Sequence, residues 1–146
     1  MNLDIARKFK DCTELNRNTS THNSSGVYKI YPMGKNAEGV PAYCDLKTDG
    51  GGWTLIQRRF DGSVDFRRTW VECENGFGNV NGELWLGNKY VHLLTIGGHY
   101  ELRIDLTDEN NRTSYAVYST FIVGDSASKY NLTVSGYSGN AGMYQL

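Results

Sequence analysis

Three histidines, His22, His92 and His99, are the side chains best suited to move protons near neutral pH, but they lie far apart without His-Glu-x-x-His spacing. Serines and aspartates are plentiful, yet no Gly-x-Ser-x-Gly turn sets a nucleophile beside a base. Asp49-Gly50-Gly51-Gly52-Trp53 has the glycines of a phosphate cradle and lacks the Gly-Lys-Ser/Thr ending that supplies charge and a magnesium ligand. A tight turn is the expectation there. Asp108 and Glu109 are two adjacent carboxylates without EF-hand spacing, too few oxygens for calcium, and they read as a hairpin tip before Asn110 and Asn111. No catalytic residue, metal site or cofactor is therefore expected in this protein. His92 reads as a packed or capping residue.

Covalent chemistry rests on cysteine and asparagine. Cys12, Cys44 and Cys73 show neither Cys-x-x-Cys nor zinc-finger spacing, so one disulfide and one leftover thiol are expected. Four Asn-x-Ser/Thr sequons begin at Asn18, Asn23, Asn111 and Asn131, and of these Asn18 and Asn23, in a polar stretch, are the favoured glycan acceptors. Trp53, Trp70 and Trp85 could stack on sugars, but are expected to fill space between sheet and loops. Arg58-Arg59 and Arg67-Arg68 have acidic neighbours and read as a solvated edge.

The elements that must position these residues follow from composition and pattern. A length of 146 residues suits one domain with a real core. Fifteen basic against sixteen acidic residues give no nucleic-acid footprint and no anchor for an anionic membrane, and no apolar run is long enough to span one. Residues 1–10 lack the apolar stretch and cleavage site of an export signal. Seventeen glycines, ten tyrosines and three tryptophans against two prolines suit a loop-rich domain of short strands, not a helical bundle.

Leu3, Ile5, Ala6 and Phe9 are spaced for one or two helical turns before Cys12, and residues 14–25 read as an exposed loop. Strands are expected at residues 27–31, 42–46 and 53–60, with Asp61-Gly62 turning the last into a hairpin with residues 64–66. Residues 75–81 are glycine-rich and read as irregular. Asn88 is placed to cap a short helix carrying Tyr90, Val91 and Leu94, stopped by Gly97-Gly98. Tyr100, Leu102, Ile104 and Leu106 alternate with Glu101, Arg103 and Asp105, predicting a strand with one buried face. Residues 114–123 and 130–135 are further β-prone runs, and 136–142 form a glycine-serine-rich ending.

Several segments together resemble the fibrinogen-related domain family of fibrinogen chains, ficolins, tachylectins, angiopoietins and tenascins. They are SGVYKIYP at 25–32, YCDLKTDGGGWTLIQRRFDGSVDF at 43–66, NGFGNVNGELWLGN at 75–88, the strand at 102–106, YSTFIVGD at 118–125 and the SGYSGNAG ending. The resemblance implies an α+β fold: a small N-terminal subdomain over 1–46, bridged by a Cys12–Cys44 disulfide, and a central, mostly antiparallel twisted sheet with short helices over 47–146. Cys73 stands where the family commonly has an aromatic residue, which implies a partly buried thiol or a link to another polypeptide. The family's calcium loop, second disulfide and ligand pocket would lie beyond residue 146, so this sequence is expected to be a partial domain without its third subdomain.

By resemblance the function is non-catalytic, extracellular recognition. The lectin-like branch, binding acetylated sugars or microbial surface patterns in innate defence, is the first expectation. A protein-binding module of the receptor-ligand or matrix kind is the second, and an inactive fragment the third. Expected partners are a glycan or protein ligand, with oligomerisation through upstream segments and no nucleic acid or membrane.

Overall fold

The structure, a computed structural model, describes residues 7–19 and 24–142. The protein divides into two compact units, Met1–Leu94 and Thr95–Leu146.

In the first unit, Asp11 starts helix α1 (Cys12–Asn18) by accepting a hydrogen bond from the Glu14 N–H at 2.8 Å. Cys12 and Leu15, three residues apart, form its buried stripe. A helix therefore occupies part of the stretch expected as an exposed loop, because a cap and an apolar pair outweigh its polar composition. Of the helix expected before Cys12, Leu3, Ile5 and Ala6 lie outside the described residues. Phe9 is not helical; its carbonyl accepts from the Tyr31 N–H at 2.9 Å.

Strands β1 (Gly26–Ile30), β2 (Val40–Asp45) and β3 (Trp53–Thr54) form an antiparallel sheet in the order β1-β2-β3. Helix α1 is tied to its edge, Cys12 N–H donating to Thr54 Oγ1 at 3.1 Å and Thr13 Oγ1 to the Gly52 carbonyl at 2.7 Å. Gly51 and Gly52 hold positive φ in the turn before β3, and a Cβ on Gly51 would lie 2.3 Å from the Leu46 carbonyl oxygen.

A second antiparallel sheet joins β4 (Gln57–Arg58), β5 (Phe77–Gly78) and β6 (Leu84–Trp85) in the order β4-β6-β5. The β-prone run at 53–60 thus splits between two sheets. No hairpin forms at Asp61-Gly62, because β4 pairs with residues 84–85 and not with 64–66. Helix α2 (Trp70–Asn75) lies between β4 and β5 in sequence. Helix α3 (Asn88–Ile96) begins after β6, with Val91 N–H donating to the Gly87 carbonyl at 3.0 Å. Asn88 does not serve as the expected cap; its Oδ1 accepts from Trp85 Nε1 at 3.0 Å.

The core of this unit gathers Cys12, Ile30, Ala42, Cys44, Leu86 and Leu94, with Tyr28, Leu46, Ile56 and Tyr90 packed against it. Burying each of the large aliphatic members contributes about 1.5–3 kcal/mol. The Cys12–Cys44 disulfide lies at the centre, its Cα atoms 5.4 Å apart and both residues fully buried.

The second unit contains one antiparallel sheet of β7 (Leu102–Thr107), β8 (Thr113–Val123) and β9 (Leu132–Gly139), in the order β7-β8-β9. Strand β9 runs from the β-prone stretch into the glycine-serine-rich ending, as far as Gly139. The one-sided burial expected for β7 is not realised, since Leu106 stays 48% exposed. On β8, Ala116 and Tyr118 are buried before Ser119, and Phe121 and Val123 after it. Strand parity puts these pairs on opposite faces. At the crossover Gly136 holds φ 76°, and a Cβ there would fall 1.8 Å from Ser119 Oγ.

Candidate interaction surface

Among the described residues of the first unit, the most exposed large apolar side chains follow β4 and open α2: Phe60 at 66%, Trp70 at 53% and Val71 at 60%. Trp70 therefore departs from the expected space-filling role, whereas Trp53 and Trp85 are half-buried, their indole N–H groups donating to the Thr48 and Cys73 carbonyls.

The backbone from Phe60 to Val64 is held by Glu83, which is only 2% exposed. Its Oε2 accepts from the N–H groups of Phe60 at 2.6 Å, Asp61 at 2.9 Å and Gly62 at 3.1 Å, and its Oε1 from Val64 at 3.0 Å. The Asp61 N–H, then those of Phe60 and Val64, hold the carboxyl at about 2 against the opposing effect of burial. The loop is thus wrapped around an internal anion, which is why Asp61-Gly62 turns without pairing strands.

Beyond Val64 the backbone is fixed by side chains. Asp65 Oδ1 accepts from the Arg67 N–H, and the Asp65 carbonyl from Arg68 Nε at 2.6 Å. The Arg59 guanidinium lies 4.5 Å from the Phe66 ring centroid, Phe66 meets Phe77 edge-on at 5.0 Å, and Arg68 covers Phe77 at 4.8 Å. Arg58 stacks on Tyr43 at 4.5 Å. Arg58, Arg59 and Arg68 are therefore engaged with aromatic rings, and Arg68 with an acid as well. Thr69 and Glu72 close a capping box at the start of α2, and Arg68 pairs with Glu72 at 3.0 Å, the largest influence holding that carboxyl below its ordinary range.

The other residues singled out in sequence are dispersed. Cys73 is a half-buried free thiol on α2. Asn18 is exposed at the end of α1, with Nδ2 donating to the Glu14 carbonyl at 2.8 Å. Asn23 and His22 lie outside the described residues. Asn111 is exposed in the turn between β7 and β8, and Asn131 is exposed just before β9. His92 is half-buried on α3, and His99 is exposed. Asp108 and Glu109 form the expected hairpin tip; Asp108 pairs with Arg112 at 2.8 Å and its carboxyl is held low, chiefly by the Arg112 N–H. Among the described residues no three His, Cys, Asp or Glu side chains are grouped to hold a metal ion, and no helix is long and apolar enough to cross a membrane.

Glu83 is the residue beneath this loop that the sequence pattern did not single out. Its signal is an acid directly before an apolar run, Leu84-Trp85-Leu86, where burial demands partners.

Comparison with known proteins places this arrangement. The family model described as fibrinogen beta and gamma chains, C-terminal globular domain, matches residues 8–145. Fibrinogen-like protein 1 of Mus musculus is 52% identical over 145 residues, covering 97% of this chain and 45% of the relative. The chain thus spans less than half of that relative's length. The fibrinogen-like globe domain of human ANGPTL6 superposes with a TM-score of 0.86 at 38% identity, over 94% of this chain and 60% of that one. Lamprey fibrin D-dimer, solved in complex with the peptide ligand Gly-His-Arg-Pro-amide, gives a TM-score of 0.83 at 41% identity, over 92% of this chain and 42% of that one.

Proposed function

Because the protein belongs to the family defined by the C-terminal globular domain of fibrinogen beta and gamma chains, we propose that it is a non-catalytic, extracellular recognition module whose ligand is a protein. The observation that carries this reading is the likeness to lamprey fibrin D-dimer, a protein solved with a peptide ligand. A buried disulfide in the core agrees with an oxidising, extracellular setting. The exposed side chains of Phe60, Trp70 and Val71 suit protein contact, since aromatic anchors dominate binding energy and the Phe60 loop, already fixed by Glu83, loses little entropy on docking. Lectin-like binding of acetylated sugars is the competing reading.

The test uses the full-length protein against a panel of receptor ectodomains and a glycan array. Saturable binding to an ectodomain that survives removal of that ectodomain's glycans is the expected result. The Phe60→Ala/Trp70→Ala double variant should weaken it about tenfold or more, the loss that truncating anchor residues brings. Binding confined to the glycan array and competed by acetylated sugars would overturn the proposal.

A further inference from the structure

We propose that Asn111 and Asn131 both carry N-linked glycans, and that these bracket the β7-β8-β9 sheet at opposite ends. Each is followed at the second position by a threonine, Thr113 and Thr133, and both asparagines and both threonines are exposed. Neither side-chain amide nitrogen is engaged in a hydrogen bond among the described residues, in contrast to Asn18, whose Nδ2 is held by the Glu14 carbonyl.

Backbone bonds fix where the two asparagines sit. Asn111 N–H donates to the Asp108 carbonyl at 3.0 Å, and Asp108 N–H to the Arg112 carbonyl at 2.9 Å, which sets Asn111 at the hairpin tip with φ 61°. The Asn131 carbonyl accepts from the Gly124 N–H at 2.8 Å, directly past the end of β8. Strand β8, 11 residues long, separates them by roughly 35 Å at about 3.3 Å per residue.

Acceptor chemistry needs a free amide nitrogen and the hydroxyl two residues on. Nδ2 attacks the anomeric carbon of an oligosaccharide carried on a lipid diphosphate. A carbon–nitrogen bond forms as the carbon–oxygen bond to diphosphate breaks. The electron pair leaves with the lipid diphosphate, and one amide proton passes to solvent.

The proposal rests on the extracellular reading above, and its test separates the two. The protein is expressed in eukaryotic secretory cells behind a secretory signal peptide, then treated with an N-glycan-releasing amidase in water labelled with heavy oxygen. Heavy aspartate at positions 111 and 131 by peptide mass spectrometry is expected. Asn111→Gln and Asn131→Gln should each remove one step of the glycan ladder, and so should Thr113→Val and Thr133→Val, which leave the asparagines in place. Secretion with unlabelled asparagine at either position overturns this proposal alone; retention in the cell without glycans overturns both readings.

Discussion

A carboxylate excluded from water is unfavourable unless hydrogen bonds replace its hydration, and Glu83 meets that demand by recruiting four backbone N–H groups from one loop. The same bonds that stabilise the anion shape the backbone under Phe60. Glutamine in place of Glu83 would present an NH2 group to N–H groups that need an acceptor, so Glu83→Gln should lower the thermal midpoint by several degrees at neutral pH. The pH dependence has a definite sign. The folded protein holds this carboxyl at about 2, whereas an unfolded glutamate titrates at about 4.3. Its contribution is therefore complete above the unfolded value and is lost as pH falls from there through about 2. Thermal unfolding of wild type and Glu83→Gln between pH 7 and pH 2 should show two midpoints that converge on acidification. A constant gap would mean that the carboxylate's charge is not what holds the loop.

At the scale of elements, α2 has six residues, too few to persist without its ends. The Thr69–Glu72 capping box supplies the first end, and Gly76, at φ 88°, supplies the second, its N–H donating to the Glu72 carbonyl at 2.9 Å. Thr69→Ala should cost about 1 kcal/mol and Thr69→Ser much less, by urea unfolding. Gly76→Ala should cost more than Thr69→Ala, because its Cβ would fall 2.2 Å from the Leu86 carbonyl oxygen. Equal losses from the two alanine variants would show that the loop yields at Gly76. Legibility in the sequence divides along the same line. β1 and β8 were readable because each is rich in β-branched and aromatic residues, and α3 because its apolar residues recur at helical spacing. β5 and β6 were not, since a two-residue strand has no period and Trp85 finds Gln57 and Phe77 across loops of the sequence. The box Thr69-x-x-Glu72 was in plain view as a helix-start signature, but the glycines after it argued for irregular structure. The candidate surface was partly legible through its aromatic residues and arginines; the acid beneath it was not, because its partners are backbone groups that leave no trace in composition.

For the whole molecule, the disulfide and the division at residues 94–95 make a joint claim about stability. The bridge spans a sequence separation of 32, and closing a loop of that size contributes roughly 3–4 kcal/mol in the chain-entropy model. It sits inside the core of the first unit, and the second unit contains no cysteine. Compact units that open separately lose hydrogen-exchange protection separately. Cys44→Ala, or reduction of the wild-type protein, should therefore strip protection from β1 and β2 at a denaturant concentration where β8 and β9 still resist exchange, read peptide by peptide by mass spectrometry. Ala42 and Ile30 mark the expected site of first loss, because they share the buried cluster with both bridged cysteines. Simultaneous loss across β1, β2, β8 and β9 would mean that the two units unfold as one body and that the bridge stabilises both.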